Sequence, residues 1–416
     1  MRIAIITTGD ELIWGEITDT NSGWLSQKLF NMGLPVSLHQ TIGDNMGDIR
    51  SAINAMAENY DLAVFCGGLG PTPDDLTVDA AAAALGVDVE VHEESLFRAQ
   101  AFFQSRDMVF TENNYRQVRA PAGCEVHVNP MGLAPGFAAT MGQCTLFFLP
   151  GPPREFKALC REFLLPQVQT MATEAGVEAA AYRRFIMAGV PESHLMQRVA
   201  PIVEPYPQVQ VGDRAAFPEI WLKLRATGPD AETTLEAIAT DLRKEFGHSL
   251  VAEGTDSLAE VTGRLLHDAG LTLATAESCT GGLLGGMITD VAGSSGWYAG
   301  GVVSYSNALK ENLLGVPGET LEAHGAVSEA VARAMAQGAR QRCGADIGVS
   351  ITGIAGPGGG TGEKPVGLVH FALSHAGGES VLRRVFRPGR NAVRKAAAYT
   401  ALDMVRRHLL AQSGDS

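Results

Sequence analysis

Short apolar segments alternate with helical patterns in two separate parts of this chain, and this alternation limits the fold more than any other feature. In the N-terminal part the apolar segments cover residues 2–8, 36–42, 61–66 and 146–149. Stretches with helical spacing separate them, an order that is typical of a parallel α/β sheet. The same order resumes after residue 256. We therefore predict an α/β fold with two α/β domains.

The chain is too long for a single hydrophobic core. At 416 residues, two or three domains are expected. Between the α/β parts, prolines interrupt the sequence, residues 219–226 alternate like a half-exposed strand, and residues 233–246 have an amphipathic helical pattern. These features predict a small α+β connector. We place the domains at residues 1–168, 169–255 and 256–416.

Net charge, cysteines and apolar runs limit the environment and the partners of the protein. The formal charge is −14 and no run of Lys and Arg is longer than two, which argues against nucleic acid as a partner. The six cysteines form no C-x-x-C pair, as expected for reduced thiols in a cytoplasm. No segment reaches the roughly 18 apolar residues of a membrane span. We expect a cytoplasmic protein with neither nucleic acid nor a membrane as partner.

A predicted strand-to-helix junction at residues 275–282 (TAESCTGG) carries the first candidate nucleophiles. Ser278 and Cys279 stand where the exposed N–H groups of a helix start would suit an anion or an oxyanion. A thiolate is intrinsically the stronger nucleophile, so Cys279 competes with Ser278. The junction alone is equally compatible with a structural role, in which the serine caps the helix and the glycines form a tight turn.

Lys310 is the candidate general base. A helix cap at Asn307 would place this lysine in the first helical turn, where the dipole disfavours a cation. A free lysine has a pKa of about 10.4, so a base at neutral pH needs a lowered pKa. Tyr305 could share or relay the proton. The alternative for Lys310 is a lysine that simply faces the solvent. Partial burial of the lysine among Leu309, Leu313 and Leu314 would lower its pKa further.

Two further features of the C-terminal domain point to a ligand. Residues 350–362 (SITGIAGPGGGTG) are rich in glycine and lie between predicted strands, which favours a ligand loop over a flexible linker. Arg387, Arg390 and Arg394 then cluster at the start of the last predicted helix. A helix N-terminus disfavours cations, and a bound phosphate would relieve this conflict; a solvated arginine face is the alternative.

The N-terminal domain has its own candidate ligand loops, at residues 8–15, 19–21 and 66–77. Loops at the carboxyl ends of parallel strands gather ligands. In the third loop (CGGLGPTPDDLT) the glycines could cradle a phosphate, and Asp74 and Asp75 could hold a divalent ion. Alone, such a loop is weak evidence, because the aspartates could instead cap the helix that follows.

The ordered motifs of the C-terminal domain resemble those of a known family. AESCTGG, YSNxxK, HGAVSE, ITGIAGPGGG, KPVG and a final VR follow one another within residues 256–411. This series is similar to the CinA C-terminal family, the nicotinamide-nucleotide amidases. The resemblance implies hydrolysis of the carboxamide of nicotinamide mononucleotide, which gives nicotinate mononucleotide and ammonia and needs no cofactor.

The resemblance also implies roles for individual residues. Ser278 would attack the amide carbon, Lys310 would accept the hydroxyl proton, and Tyr305 would orient or relay it. Arg394 would hold either the phosphate or the ring end of the substrate. The remaining implied substrate contacts are Glu277, Thr280, Gly281, Gly282, Thr352 and Gly353.

The N-terminal motifs resemble the CinA-type branch of the molybdopterin-binding fold. GDELIWGEITDTN, GGLGPTPDDLT, NPMGLAPGF and LPGPPREF occur in order within residues 1–168. The branch implies metal-dependent hydrolysis of ADP-ribose to AMP and ribose 5-phosphate. Cys66 departs from the pattern, which has threonine before the paired glycines. The implied substrate contacts are Gly9, Asp10, Glu11, Asn21, Gly67, Gly68, Gly70, Thr77 and Glu155, and the implied ligands of a divalent metal such as Mg²⁺ are Asp44, Asp74 and Asp75.

Other interpretations stay open beside this bifunctional hydrolase of small nucleotides. One is a molybdopterin- or nucleotide-binding protein without N-terminal catalysis, and another is a binding partner associated with competence or DNA damage. The connector resembles the KH-like module between the two CinA domains, and it lacks the GxxG clamp of RNA-binding KH domains. By fold analogy we expect the connector to serve packing and the formation of a homodimer.

Overall fold

The computed structural model describes residues 1–178, 180–387 and 389–413. The chain divides into two compact units, of which the first is Met1–Ala181 with Thr227–Glu232 and the second is Tyr182–Ala226 with Thr233–Ser416. The predicted division into three domains, at 168/169 and 255/256, stays a prediction. None of the described helices combines the length and the hydropathy that crossing a membrane requires.

The N-terminal unit consists of short strands and helices in alternation. Its strands are β1 (Ile3–Thr8), β2 (Leu38–Ile42), β3 (Leu62–Cys66), β4 (Val89–Val91), β5 (Arg119–Pro121), β6 (Glu125–His127), β7 (Gly136–Met141) and β8 (Cys144–Leu149). Its helices are α1 (Asp10–Ile13), α2 (Asn21–Asn31), α3 (Met46–Asn59), α4 (Thr77–Leu85), α5 (Glu93–Gln104), α6 (Glu112–Arg116), α7 (Pro153–Leu159) and α8 (Leu165–Glu174). A π-helical turn, Cys160–Leu164, joins α7 to α8.

Strand β1 shows why these elements form a layered fold. Ile3 and Ile5 belong to the apolar cluster that contains Leu25 of α2. Ala4 and Ile6 point to the opposite face and join the cluster that contains helix α3. All four strand residues are completely buried. Because helices cover both faces of the sheet, the strand appears in the sequence as an uninterrupted apolar run.

The N-terminal sheet is not purely parallel, contrary to the prediction from the sequence. Its strand order is β2-β1-β3-β8-β7-β6, and the first four strands run parallel. The last two are antiparallel to their neighbours. Gly142 has φ 64° in the β7–β8 hairpin turn, a conformation that glycine adopts without a steric penalty. Strand β6 has only three residues, too few to produce a recognisable apolar pattern.

The second half of the chain contains nine strands and eight helices in its described residues. The strands are β9 (Ala180–Met187), β10 (Gln210–Ala216), β11 (Glu219–Thr227), β12 (Leu250–Glu253), β13 (Leu273–Glu277), β14 (Tyr298–Val303), β15 (Ile347–Gly353), β16 (Leu368–His375) and β17 (Gly378–Val385). The helices are α9 (Glu192–Val203), α10 (Ala231–Phe246), α11 (Leu258–Ala269), α12 (Leu283–Thr289), α13 (Asn307–Leu314), α14 (Gly318–His324), α15 (Glu329–Cys343) and α16 (Arg390–Ser413).

These strands form two separate sheets. The connector region contains a four-stranded sheet in the order β10-β11-β9-β12, where the sequence had revealed one strand and one helix. The C-terminal sheet has the order β14-β13-β15-β16-β17. Strand β13 is parallel to both of its neighbours, whereas β16 and β17 are antiparallel. The predicted α/β class is confirmed, with mixed rather than parallel sheets.

The C-terminal sheet is covered on both faces. On one face Leu273 of β13 packs in the cluster that contains Leu266 of α11 and Val405 of α16. On the other face Ala274 and Ala276 pack in the cluster that contains Met335 of α15. Strand β13 therefore lies in the interior of the sheet, and its carboxyl end opens between the ends of two parallel neighbours. In sheets of this kind that position is the usual place for a ligand.

Two helical glycines in this domain test the packing in opposite directions. Gly338 is buried in α15, where an added Cβ atom would stand 2.0 Å from the carbonyl oxygen of Leu314. Gly286 is exposed in α12, and a Cβ atom there would meet nothing within 4 Å. We predict that Gly338→Ala lowers the free energy of unfolding by about 1–3 kcal/mol through overpacking. Gly286→Ala should raise it by up to about 1 kcal/mol through helix propensity.

Urea denaturation of the full chain, followed by circular dichroism and by tryptophan fluorescence, measures both effects. If Gly338→Ala is as stable as the parent protein, the close contact between α15 and the Leu314 carbonyl is wrong.

Candidate active sites

Ser278 lies directly after the last residue of β13. Its backbone N–H donates to the carbonyl oxygen of Ile351 on the neighbouring strand β15, at 3.0 Å. The preceding residue is also tied to the sheet, because the Glu277 carbonyl oxygen accepts from Ser304 N–H at 2.8 Å. The Ser278 backbone is thus held from both sides, and its side chain is 9% exposed. The hydroxyl therefore extends from a fixed backbone position and has limited access to solvent.

The side chain of Lys310 lies against this hydroxyl. The amine nitrogen Nζ is 3.1 Å from Ser278 Oγ and 2.7 Å from the carbonyl oxygen of Ser304. Lys310 is only 1% exposed. No carboxylate lies within ion-pair distance of its amine in the described part of the chain. A lysine rarely occurs in such a place, because burying an unpaired ammonium group is costly.

Burial lowers the pKa of Lys310 below its ordinary value of 10.5. The cause is loss of hydration, which penalises the charged form. The leucines expected to enclose the amine contribute less than predicted, because Leu309 is 38% exposed and Leu313 is 45% exposed, and only Leu314 is buried. The predicted helix cap is also corrected, since Ser306 Oγ and not Asn307 accepts from the Leu309 N–H.

Cys279 is a poor nucleophile in this environment. Burial raises the pKa of its thiol to about 11, and the nearby charge of Glu277 acts in the same direction. A neutral-pH thiolate would need a lowered pKa instead. Among the described residues, the Lys310 amine is within hydrogen-bonding distance of one side-chain oxygen or sulfur atom, which is Ser278 Oγ.

A cavity of about 290 Å³ opens in front of these two side chains. The backbone N–H groups of Cys279 and Thr280 donate to no other residue in the ranges that the structure describes, and Cys279 lines the cavity. Free N–H groups beside a nucleophile are suited to stabilising an oxyanion. The lining residues are Ser278, Cys279, Tyr305, Asn307, Lys310, Ala326, Val327, Thr352, Gly353, Ile354, Ala355, Gly356, Gly358, Gly359 and Arg390.

The glycine-rich loop forms one wall of this cavity, as the sequence predicted for a ligand loop. Gly356 has φ 83°, and a Cβ atom there would stand 2.6 Å from Val366 Cγ1, so only glycine fits. Thr352 and Gly353 lead into the loop from β15, and the Thr352 hydroxyl donates to the Ala326 carbonyl oxygen at 2.7 Å. This bond ties the end of β15 to Ala326, which also lines the cavity.

Arg390, and not Arg394, is the arginine at the cavity. Arg390 donates to the Gly356 carbonyl oxygen at 2.8 Å and to the Tyr305 hydroxyl at 3.2 Å. Arg394 instead donates twice to the carbonyl oxygen of Thr280, at 2.7 and 3.3 Å, and does not line the cavity. Tyr305 lines the cavity but is 61% exposed, and its hydroxyl bonds to Arg390 rather than to the Ser278–Lys310 pair.

Several residues expected to touch substrate have structural positions instead. The carboxylate of Glu277, which is 2% exposed, accepts from the N–H groups of Leu284 and Gly285 at 3.1 and 2.8 Å. It therefore caps the N-terminus of α12, where the helix dipole favours an anion. The residues that form the intervening turn, and that do not line the cavity, are Thr280, Gly281 and Gly282.

The second cavity, of about 510 Å³, lies in the N-terminal unit at the carboxyl ends of β1 and β3. The paired glycines follow β3, and Gly67 has φ 113° where a Cβ atom would stand 2.5 Å from the Thr8 carbonyl oxygen. Asp10 and Thr77 do not line this cavity. The predicted residues that do are Gly9, Glu11, Asn21, Asp44, Gly67, Gly68, Gly70, Asp74, Asp75 and Glu155.

Three polar side-chain atoms around this cavity are buried and have no hydrogen-bond partner in the described structure. They are Thr8 Oγ1, Asn21 Oδ1 and Thr77 Oγ1. Thr8 and Asn21 line the cavity, and their exposed fractions are only 5% and 6%. Buried polar atoms are normally paired. Their arrangement therefore fits a cavity that receives a polar ligand.

The carboxylates that line this cavity include the three predicted metal ligands, Asp44, Asp74 and Asp75. Within the described ranges no three His, Cys, Asp or Glu residues form a group that could hold a metal ion. Asp75 accepts from the Thr72 N–H at 2.8 Å and from its hydroxyl, and so closes its own turn. Burial raises the pKa of Asp44, which the negative charges of Asp10, Glu11 and Asp74 raise further. Mg²⁺ commonly uses one or two carboxylates together with substrate phosphates, and Asp44 and Asp74 both line the cavity.

Cys66, the residue before the paired glycines, is buried beside Asn21. Its Sγ lies 3.2 Å from Asn21 Nδ2, and burial raises the pKa of the thiol to about 12. The residue is therefore a neutral thiol that supports the Asn21 side chain.

The cap formed by Glu277 provides a test of the C-terminal site. We predict that Glu277→Ala lowers the free energy of unfolding by about 1–3 kcal/mol, because the buried N–H of Leu284 and the partly buried N–H of Gly285 lose their acceptor. The control is Glu260→Ala, which removes a partly exposed carboxylate from the capping box that it forms with Ser257 and should cost about 0.5–1 kcal/mol. Equal losses in chemical denaturation would contradict the burial of the Glu277 cap.

Comparison with known families and proteins accounts for both halves of the chain. Residues 4–170 match the model of the probable molybdopterin binding domain, and residues 255–409 match the CinA C-terminal domain. The CinA-like protein of Anaeromyxobacter sp. (strain Fw109-5) is 43% identical over 408 residues, with 98% of each chain covered. The CinA-like protein of Geobacter sulfurreducens is 41% identical over 413 residues, with 99% of this chain and 100% of the relative covered.

Solved structures are similar to part of this chain as well. The competence/damage inducible protein CihA of Agrobacterium tumefaciens is 46% identical, with 36% of this chain and 94% of that chain covered and a TM-score of 0.34. A competence-damaged (CinA) superfamily protein of Klebsiella pneumoniae is 38% identical, with 38% and 99% covered and a TM-score of 0.36. Because the curated relatives match over nearly their whole length and both family models fall on the observed α/β parts, the chain belongs to the CinA family.

Proposed function

We propose that the C-terminal domain hydrolyses the carboxamide of nicotinamide mononucleotide to nicotinate mononucleotide and ammonia. The observation that carries this proposal is the buried Lys310 amine 3.1 Å from the hydroxyl of Ser278. An amide is a poor electrophile, so a hydrolase needs an activated nucleophile and donors for the oxyanion. Both requirements have candidates at the end of β13.

In the proposed first step, neutral Lys310 accepts the hydroxyl proton while Ser278 Oγ forms a bond to the carboxamide carbon. The N–H group of Cys279, which lines the cavity, stabilises the oxygen that becomes negative. The lysine ammonium then gives its proton to the departing nitrogen, which leaves as ammonia. Water attacks the resulting ester with Lys310 again as base, and release of the acid restores the serine. The Ser304 carbonyl oxygen, 2.7 Å from Nζ, keeps the amine in place through both steps.

The far wall of the same cavity supports a phosphorylated substrate. Arg390 is the cation at this wall, beside the glycine-rich loop. An arginine together with main-chain N–H groups is a common binding site for phosphate. We assign the phosphate end of the mononucleotide to Arg390, and we give Arg394 the role of supporting the turn at Thr280. Tyr305 is then a substrate-orienting residue through its bond to Arg390, and not a relay for the serine proton.

Substitution of the two candidate nucleophiles tests this mechanism. We predict that Ser278→Ala lowers the rate of ammonia release from nicotinamide mononucleotide by at least about 1000-fold, because the nucleophile is lost. Cys279→Ala should retain most of the activity, because the buried thiol stays protonated. Activity would be followed by coupled ammonia detection, with circular dichroism as the control for folding. An active Ser278→Ala variant would rule out the serine mechanism.

The pH dependence tests the role of Lys310. Only the neutral amine can accept a proton, and burial places its pKa below 10.5. We therefore predict that kcat/KM of deamidation rises with pH through one ionisation below 10.5 and is constant above it. Lys310→Arg should be inactive, because a guanidinium group stays charged. A midpoint at or above the value for free lysine would contradict the proposal.

A second candidate function belongs to the N-terminal domain. We propose hydrolysis of ADP-ribose to AMP and ribose 5-phosphate, which is favoured by the unpartnered polar atoms in the cavity beside Gly67 and Gly68. A divalent cation would neutralise charge on the pyrophosphate and activate the attacking water. Asp44 and Asp74 would hold it, and the free N–H groups of the glycine turn would contact the phosphates. Together the two activities would recycle pyridine nucleotides in the cytoplasm, and the expected homodimer stays a prediction.

Chelation separates the two activities. We predict that EDTA abolishes the release of AMP from ADP-ribose but leaves deamidation of nicotinamide mononucleotide unchanged, because the amidase mechanism uses no metal. Asp44→Asn should lower AMP release and should not alter deamidation. Chromatographic analysis of both products in one incubation measures this. AMP release that is resistant to EDTA would contradict the metal assignment, and a protein that binds ADP-ribose without cleaving it would favour a carrier.

A further inference from the structure

The side chain of Asn21 has one polar atom in use and one without a partner. Asn21 is the first residue of α2 and lines the N-terminal cavity. Its oxygen Oδ1 is buried and has no hydrogen-bond partner among the residues that the structure describes. Its backbone is fixed, because the N–H donates to Asp19 Oδ1 at 3.0 Å. An acceptor so placed costs free energy until something donates to it.

The orientation of the Asn21 amide follows from its neighbours. Nδ2 donates to the Gly151 carbonyl oxygen at 2.8 Å and to Cys66 Sγ at 3.2 Å. These contacts use both amide hydrogens. The reversed amide would bring Oδ1 against the Gly151 carbonyl oxygen, where neither atom can donate. Oδ1 is therefore left without a donor by these contacts, and it can only accept.

Hydrogen-bond donors, in contrast to the acceptor of Asn21, are found at the neighbouring turn formed by Gly67 and Gly68. The hydroxyl groups of Thr8 and Thr77 lie against Gly67 and Gly68, where added Cβ atoms would come within 2.6 and 2.2 Å of their Oγ1 atoms. Both hydroxyls are unpartnered, and a hydroxyl can donate. The N–H groups of Gly68 and Leu69 have no acceptor within the described ranges. Of the two threonines only Thr8 lines the cavity, as do Gly68 and Leu69, so this part of the cavity presents donors, whereas Asn21 presents an acceptor.

Phosphate oxygens are hydrogen-bond acceptors at neutral pH, so they match the donors at the glycine turn and not Asn21 Oδ1. None of the described lining residues of this cavity is Lys or Arg. The group that meets Asn21 must carry a hydrogen and must lie close to the phosphates, because Cys66, which contacts Asn21, immediately precedes Gly67. In a nucleotide the ribose hydroxyls satisfy both conditions, whereas an amino group on the base is farther from the phosphates.

We infer that Asn21 determines specificity in the N-terminal site by accepting a hydrogen bond from a ribose hydroxyl of the ligand. The pyrophosphate occupies the donor side of the cavity, at Gly68 and Thr8. This inference rests on the proposed binding of ADP-ribose and adds which chemical group Asn21 recognises. It also gives Cys66 a role, because the thiol helps to hold the amide in the orientation that exposes its oxygen.

Titration calorimetry with matched ligands tests the inference. The probes are ADP-ribose, analogues that each lack one ribose hydroxyl, and the hypoxanthine analogue, which lacks the amino group of the base. Titrations are run in EDTA and again with Ca²⁺. For the parent protein we expect one deoxy analogue to bind about 10-fold more weakly, because the buried acceptor then stays unpaired, and the hypoxanthine analogue to bind as well as ADP-ribose.

Three variants complete the design. Asn21→Ala should bind ADP-ribose and that deoxy analogue equally, since the acceptor is gone. Asn21→Asp keeps an acceptor at this position and should retain the preference for the hydroxyl, even if loss of the amide donors loosens the loop. Thr8→Val is the matched control on the donor side, and it should weaken all the ligands by the same factor.

The outcomes separate the inference from the proposed function. Equal binding of every deoxy analogue by the parent protein would overturn the inference, as would a preference that survives in Asn21→Ala. Weaker binding of the hypoxanthine analogue alone would identify the base and also overturn it. Binding of ADP-ribose without cleavage would overturn the hydrolase proposal only, whereas the absence of any binding would overturn both.

Discussion

The proposed chemistry of the C-terminal domain depends on one buried amine. Lys310 lies between the Ser278 hydroxyl and the Ser304 carbonyl oxygen, with no carboxylate at ion-pair distance in the described chain. An ammonium group in this position would lack the hydration that stabilises its charge, and burial accordingly lowers the pKa of the amine. The same burial raises the pKa of Cys279. The same burial thus favours the neutral amine and the neutral thiol, which is the basis for proposing Ser278 rather than Cys279 as the nucleophile.

The strand arrangement explains how the amine reaches the serine. Ser278 ends β13, and Ser304 follows the parallel neighbour β14. Parallel strands place their carboxyl ends on one edge of the sheet, and the backbone bond from Ser304 to Glu277 fixes the spacing of these two ends. Helix α13 then begins close to this edge and directs Lys310 back toward it. Residues 32 positions apart in the chain therefore meet at 3.1 Å.

The two cavities differ in the charged and polar groups that they offer to a ligand. The C-terminal cavity contains an arginine beside a glycine-rich wall, so charge is available to a phosphate from the protein itself. In the N-terminal cavity the charged residues of the described lining are all carboxylates, with no Lys or Arg. There the polar groups left unpaired, Thr8 Oγ1 and Asn21 Oδ1, indicate which contacts a ligand would complete. The cost of these unpaired atoms is a local instability that binding would remove.

Much of this organisation is visible in the sequence alone. The two alternations of apolar and helical segments predicted two α/β regions, and the ordered motifs pointed to Ser278 and Lys310 as residue types suited to amide hydrolysis. The short hairpin strand β6 and most strands of the connector escaped recognition. Three-residue strands and half-exposed strands do not produce a continuous apolar run, because their neighbours in the sheet, and not their own residues, supply most of the burial.

Side-chain direction was decided only by the tertiary structure. Arg390 and Arg394 are equivalent in the sequence, one helical turn apart, yet one reaches the cavity and the other supports the Thr280 carbonyl oxygen. Glu277 looks like a substrate contact beside the nucleophile, but the start of α12 takes its carboxylate. The sequence by itself determined which chemical groups are present and on which kind of element they stand. Which of them face the ligand depends on how separate elements pack, and that information lies in contacts between residues far apart in the chain.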